Sequence, residues 1–224
     1  MGILSTKDTN SEDEMAYDFH FPTSKNAIIV FARNPELGKC KTRLAKTIGD
    51  EAALKIYKYL LQHTANITEK IEADKFVFYS EHIHENDIWN DNIFIKKLQQ
   101  GSDLGLKMKH AFIELFDSGY EKIIIVGSDI LDLEVEHISE AFLKLKTHDV
   151  VIGPALDGGY YLLGMKQLHS QIFEHKTWGT STVLKDTLKD LNHKNIYLLD
   201  GLNDIDIFED LKNNKTLKEL ISND

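Results

Sequence analysis

The chain has 224 residues, 42% hydrophobic and 28% charged, and 36 acids against 26 Lys and Arg give a formal net charge of −10. That length supports one large domain that needs no disulfide or metal to fold, and the acidity argues against a nucleic-acid polymer as partner. One cysteine, Cys40, precludes an internal disulfide, and no run is long enough to span a membrane or patterned as a signal peptide, so the cytoplasm is the expected location.

Residues 1–24 are polar and acidic without a sustained period and read as a flexible extension, although Tyr17, Phe19 and Phe21 alternate as a short strand would. From Ala27 the texture changes. AIIVFAR (27–33) is a continuous β-branched and aromatic run, the pattern of a strand covered on both faces. A loop with Pro35 and Gly38 follows, carrying Lys39, Lys41, Arg43 and Lys46. Residues 50–67 then place Ala53, Ile56, Tyr57, Leu60 and Leu61 at helical spacing. KFVFYS (75–80) and FIKKLQ (94–99) read as the second and third strands.

The loop 101–105 precedes a helix whose apolar side carries Leu106, Met108, Ala111, Phe112, Leu115 and Phe116. KIIIVGSD (122–129) is the strongest strand pattern, and a helix over 134–146 follows. DVVIGPA (149–155) and YYLLGM (160–165) are two strands joined by an Asp157-Gly158 turn, which allows only antiparallel neighbours. Residues 180–191 read as a helix capped by Thr180 or Ser181. NIYLLD (195–200) is a last strand, and the chain from Ile207 is helical in pattern. This alternation predicts an α/β fold with a mixed, mostly parallel central sheet flanked by helices.

In such sheets ligands collect beyond the carboxyl ends of the parallel strands. Three segments lie there. The loop after the first strand brings Arg33, Lys39, Lys41 and Arg43, cations suited to a di- or triphosphate, although a solvated basic loop anchored by Leu44 fits equally well. It is neither a Walker loop nor a dinucleotide GxGxxG, which disfavours a redox role. Asp129 ends the buried run IIIVGSD and is expected either to hold a divalent cation with substrate phosphates or to cap the next helix. Asp204 and Asp206 in NDIDIFED follow the last strand and could reach the same edge, with a helix cap as the other reading of Asp206.

The third segment is GPALDGGYYLLG (153–164), in which the turn explains Asp157 and Gly158. Gly159 and Gly164 lie in a strand apolar on both faces and predict close approach of a ligand or another backbone. The first amides of the 180–191 helix, beginning at Thr180, could hold a substrate anion. Cys40 reads as a packed thiol, Trp178 as packing rather than a stacking platform, and His82 and His84 as a solvated pair without a third ligand.

FARNPELGKCKTRL, QGSDLGLKM, IIIVGSD, GPALDGGYYLLG, WGTSTVLKDTL and DIDIFEDL, in this order, resemble a bacterial family assigned as glycosyltransferases, often found near radical-SAM enzymes and in part named for arsenosugar biosynthesis. That family is similar to the guanylyltransferases of the 2-phospholactate-derived and molybdenum cofactors, and the likeness spans roughly residues 27–212. It implies the GT-A, or nucleotide-diphospho-sugar transferase, fold in a single domain over 25–224, with 1–24 outside it. It implies Lys41 and Arg43 as phosphate contacts, Asp129 as a metal ligand, and Asp206 as the second metal acid, not separable from the nearby Asp204. Gln100, Gly101, Leu104 and Gly105 match a loop near the nucleotide base, and Asp157, Gly158 and Gly159 flank the donor-sugar or acceptor pocket. Leu131 stands where a fuller Asp-x-Asp would have its second acid.

The expected activity is therefore a Mg²⁺- or Mn²⁺-dependent transfer from a nucleotide-activated donor, foremost an NDP-sugar, to a small-molecule acceptor, with Asp157 as acceptor base. The alternatives are a nucleotidyltransferase that releases pyrophosphate and a nucleotide-binding domain without turnover. No membrane partner is implied, and an oligomer is allowed.

Overall fold

The computed structural model describes residues 22–212 and 214–222. The alternation of Tyr17, Phe19 and Phe21 lies outside them. Among the described residues, seven strands form one sheet in the order β3-β2-β1-β4-β6-β5-β7. They are β1 (Asn26–Ala32), β2 (Asp74–Tyr79), β3 (Phe94–Leu98), β4 (Lys122–Val126), β5 (Val150–Pro154), β6 (Tyr160–Met165) and β7 (Ile196–Leu198). β1 pairs in parallel with both β2 and β4, β3 is parallel to β2, and β7 is parallel to β5. Only β6 runs against its neighbours, antiparallel to β4 on one side and β5 on the other.

That single reversal positions the site. Because β6 is antiparallel to both, β4 and β5 point the same way, and the turn leaving β5 reaches the edge where β4 ends.

The continuous apolar strands follow from burial on two faces. Ile28, Val30 and Ala32 of β1 pack with Tyr57, Leu61, Val77 and Val126 on one side, while Ala27 and Ile29 pack with Phe76, Phe112, Ile123 and Leu163 on the other. This is the two-residue alternation of a strand with helices over both surfaces. Helices α2 (Asp50–Thr68) and α4 (Val135–Lys144) cover the first side, and α3 (Leu104–Asp117) covers the second. A smaller cluster joins α2 to α1 (Thr42–Ile48) and to α6 (Lys215–Ser222) through Leu44, Ile56, Leu60, Leu211 and Leu217.

Two local expectations are corrected. Helix α5 spans Val183–Asp190, so neither Thr180 nor Ser181 caps it; a turn with Gly179 in the left-handed region (φ +78°) precedes it, and the Thr180 hydroxyl donates to the Thr177 carbonyl at 2.8 Å. Nor does Asp206 cap the following turn: the Asp210 carboxylate accepts from the Asp206 and Ile207 amides at 2.9 and 2.8 Å, fixing a 3₁₀ turn over Phe208–Leu211.

Candidate active site

Strand β4 ends at Val126, and Gly127 donates to the Tyr161 carbonyl at 3.0 Å, extending the join to β6 by one bond. The two side chains that follow diverge. Ser128 is buried, and its hydroxyl meets the Tyr57 hydroxyl at 3.2 Å. Asp129 points to the edge, where its carboxylate accepts from the Lys41 ammonium at 2.9 Å. Lys41 reaches there because its backbone takes a left-handed conformation (φ 49°, ψ 45°) just before α1, and its side chain is only 6% exposed. A buried ammonium needs a charge partner, and Asp129 supplies it.

The segment after β7 passes alongside. Ile205 donates to the Asp129 carbonyl at 3.1 Å, and Ile130 and Asp204 form an antiparallel bridge. From the other side comes the β5–β6 turn. Its Gly158 amide donates to the Ala155 carbonyl at 3.1 Å, and the Gly159 amide donates to the Asp157 carboxylate at 2.8 Å. Gly158 has φ +93°, and a Cβ there would collide with the Ser181 backbone, so the turn is bare because the chain before α5 lies against it.

These three approaches leave a cavity of about 270 Å³ lined by Asp129, Asp157 and Asp204 and, on its apolar side, by Phe31, Leu104 and Trp178, with Gly159 and Thr180 also in the wall. The crowding shows in Asp204. Burial first, then the charges of Asp129 and Asp157, push its carboxyl from an ordinary 3.8 up to about 6, against the opposing pull of Lys41.

The remaining sequence-selected residues divide. Of the acids at 204 and 206, Asp204 lines the cavity, whereas Asp206 accepts from the Arg43 guanidinium at 2.7 Å. Arg43 is 67% exposed and lies outside the lining. Lys39 is engaged elsewhere, bridging Glu36 at 2.7 Å and Glu81 at 3.0 Å, and the two acids raise its ammonium to about 12. Arg33 leaves the group altogether. Its amide donates to the Tyr57 hydroxyl at 2.8 Å, and the residue lines a separate cavity on the α2 side of the sheet.

Of the base-loop residues, Gln100 bonds through its carbonyl to the His110 ring at 2.8 Å, and Gly101 sits at φ +140° against the first turn of α3. Gly105 lies beneath the Trp178 indole, which a Cβ would strike. Trp178 is therefore both packing and cavity wall. Gly159 lines the cavity that holds Asp129, as the strand's position requires. Gly164 does not face it: a Cβ there would press on Ile124 and Leu145, so core packing explains that glycine.

Cys40 is buried, with its thiol donating to the Asn34 carbonyl at 3.1 Å, and burial raises its pKa. That is an inert thiol. His82 comes within metal-ligand spacing of Glu36 and Glu81, but the Lys39 ammonium already fills the space between those acids.

Residues 63–180 match a family described as uncharacterized proteins conserved in bacteria (DUF2064). No match is found among curated proteins. Among solved structures, the chain is similar to a Desulfovibrio desulfuricans G20 protein provisionally named a nucleotide-diphospho-sugar transferase, at 29% identity and a TM-score of 0.79, over 89% of this chain and 97% of that one. It is also similar to 4-diphosphocytidyl-2C-methyl-D-erythritol synthase from Anaerococcus prevotii DSM 20548, at 12% identity and a TM-score of 0.53, over 89% and 96%. A CMP:2-keto-3-deoxy-manno-octonic acid synthetase complexed with CTP matches at 8% identity and a TM-score of 0.52, over 88% and 99%. The shared architecture is the nucleotide-diphospho-sugar transferase fold.

Proposed function

The chain belongs to the DUF2064 family, and we propose that it is a transferase working on a nucleotide-activated donor, with an NDP-sugar as donor and a small hydroxyl compound as acceptor. One observation carries this reading: Asp129, Asp157 and Asp204 line a single cavity at the carboxyl edge of the sheet, and the buried Lys41 ammonium pairs with Asp129. The fold and the name of the Desulfovibrio desulfuricans G20 neighbour support it.

The donor set fits a hard divalent cation. Two carboxylates, Asp129 and Asp204, lie on neighbouring backbone segments and line one cavity, and a cation there would favour the ionised Asp204 that burial, then Asp129 and Asp157, disfavours. We assign them as ligands of Mg²⁺ or Mn²⁺, with Asp204 in the place first given to Asp206. Such an ion, when bound, would neutralise charge on the donor's phosphates.

Around it the chain's own residues divide the work. Lys41 serves the diphosphate as a point charge, its ammonium paired with the cavity-lining Asp129. Phe31, Leu104 and Trp178 offer an apolar wall to the flat or apolar part of the donor and exclude water. Asp157 accepts the proton as the acceptor oxygen attacks the sugar carbon and the bond to the diphosphate breaks, releasing a nucleoside diphosphate. We place this chemistry in one domain over 25–224.

The test is a thermal-shift series with NTPs and NDP-sugars, each with and without Mg²⁺ or Mn²⁺, on the native chain and on Asp129→Ala. Metal-dependent stabilisation by NDP-sugars that disappears in the variant is the expected result. If the stabilisation survives Asp129→Ala, the metal assignment is wrong. Product analysis then separates the chemistries: nucleoside diphosphate supports glycosyl transfer, while pyrophosphate released from an NTP overturns it in favour of nucleotidyl transfer.

A further inference from the structure

The larger cavity lies elsewhere. It encloses about 490 Å³ between α2 and the segment joining β2 to β3, within the size range of small-molecule pockets. Its walls come from three places. Arg33 follows β1, Lys58 and Leu61 lie on α2, and Tyr79, His84 and Trp89 end β2 or follow it. None of the three carboxylates of the candidate active site lines it.

Its chemistry is that of an anion site with an apolar floor. Leu61, Tyr79 and Trp89 are buried side chains that present carbon to the cavity. Arg33 and Lys58 bring two positive charges, and among the described residues neither has a carboxylate partner. The one acid in the wall is already spent. Asp87 accepts from the Tyr79 hydroxyl at 2.5 Å through one oxygen, and from the Trp89 amide and the Lys96 ammonium, both at 3.0 Å, through the other. Lys96 also contacts Asp91 at 2.7 Å, so both acids find a cation without Arg33 or Lys58. The His84 Nε2 is buried and lacks a hydrogen-bond partner among the described residues, a cost that a bound acceptor or donor would remove.

We propose that this cavity is a second small-molecule site, for an organic anion with an aromatic body. Arg33 and Lys58 take the carboxylate or phosphate group, and the body lies against Leu61, Tyr79 and Trp89. The site is separate from the NDP-sugar reading and stands or falls without it.

The sequence supplies its own reporter. The chain has two tryptophans; Trp89 lines this cavity and Trp178 lines the other. In a Trp178→Phe background, phenyl phosphate titrated against Trp89 fluorescence should give a saturable change. Phenol, with the same body and no charge, should bind at least ~10-fold more weakly, and Lys58→Ala should weaken phenyl phosphate by a similar factor, one fully formed charge contact being worth about that much. Calorimetry on the native chain repeats the comparison if the Trp178 variant does not fold. Lys58 is exposed on α2, so its removal leaves the core intact. A response that does not saturate, phenol binding as tightly as phenyl phosphate, or affinity unchanged by Lys58→Ala would each overturn the assignment. Asp129→Ala should leave the Trp89 response unaltered; its loss would place the ligand in the other cavity.

Discussion

Replacing Asp204 by Asn should stabilise the metal-free protein at neutral pH. Asp204 is pushed from 3.8 up to about 6 in the fold by burial and by Asp129 and Asp157. A carboxyl whose folded value is raised holds its proton longer in the native state than in the unfolded one. Stability from that proton is therefore complete below about pH 4 and is lost as pH rises through about 6. The rise from 3.8 to about 6 corresponds to about 3 kcal/mol at most. Asp204 keeps some solvent access, which screens the repulsion, so about 1–2 kcal/mol is the reasonable expectation.

Asn has the same shape and cannot ionise. In EDTA at pH 7.5, Asp204→Asn should thus melt higher, on the order of 4 °C for a domain of this size, and the difference should vanish near pH 4. Adding Mg²⁺ should reverse the order, because only the native chain retains both carboxylates. The measurement is a melting curve across pH 4–8, with and without the ion. A variant less stable than the native chain in EDTA at pH 7.5 would refute the claim that Asp204 ionises there against burial and the charges of Asp129 and Asp157.

Other outcomes follow from the same geometry. Tyr57→Phe removes the hydroxyl that joins the Arg33 backbone to Ser128, and should cost about 1–2 kcal/mol by denaturant unfolding. Ser128→Ala in the same background should then cost less than it does alone, because the partner is already gone; strict additivity would contradict the contact. Gly105→Val drives a branched side chain into the Trp178 indole and the Phe173 carbonyl, so it should destabilise by about 1–3 kcal/mol. It should also shift the tryptophan emission to the red and weaken donor-induced stabilisation, and an unchanged spectrum would show that the indole does not rest there.

Much of the fold was legible because burial on both faces writes strands as unbroken apolar runs. β1, β2 and β4 are such runs, and all seven predicted strands are present. Helix starts were less legible. Thr180 and Ser181 look like caps, yet Gly179 and the contact of Ser181 with Gly158 hold that stretch in a turn, and a tertiary constraint outweighs a capping preference worth about 1 kcal/mol. In the site, Asp129 could be found because a strand-end acid after IIIV needs a partner. The choice between Asp204 and Asp206 could not be made, since both lie two residues apart in an irregular segment. The bridge to Ile130 brings Asp204 to the cavity, and the Asp210 carboxylate pins the chain where Asp206 meets Arg43. Arg33 was misplaced for a related reason. A cation after β1 can go to either face of the sheet, and the sequence does not say which.

The doubled glycine after Asp157 draws on both sources. Gly158 is required locally, by its left-handed backbone and by Ser181 beneath it, and would be needed in a protein that bound nothing. Gly159 is not: its backbone is not left-handed, and the nearest atoms a Cβ would meet belong to the Asp157 carboxylate itself. A side chain at 159 would press on that carboxylate in the wall of the cavity that Asp129 also lines. The bare position thus leaves room for the Asp157 carboxylate, held by the Gly159 amide, in the cavity lining. The antiparallel strand β6 is what brings this turn to the edge where β4 ends. Had it run parallel like its neighbours, its start would lie at the far edge of the sheet, and Asp157 could not meet Asp129.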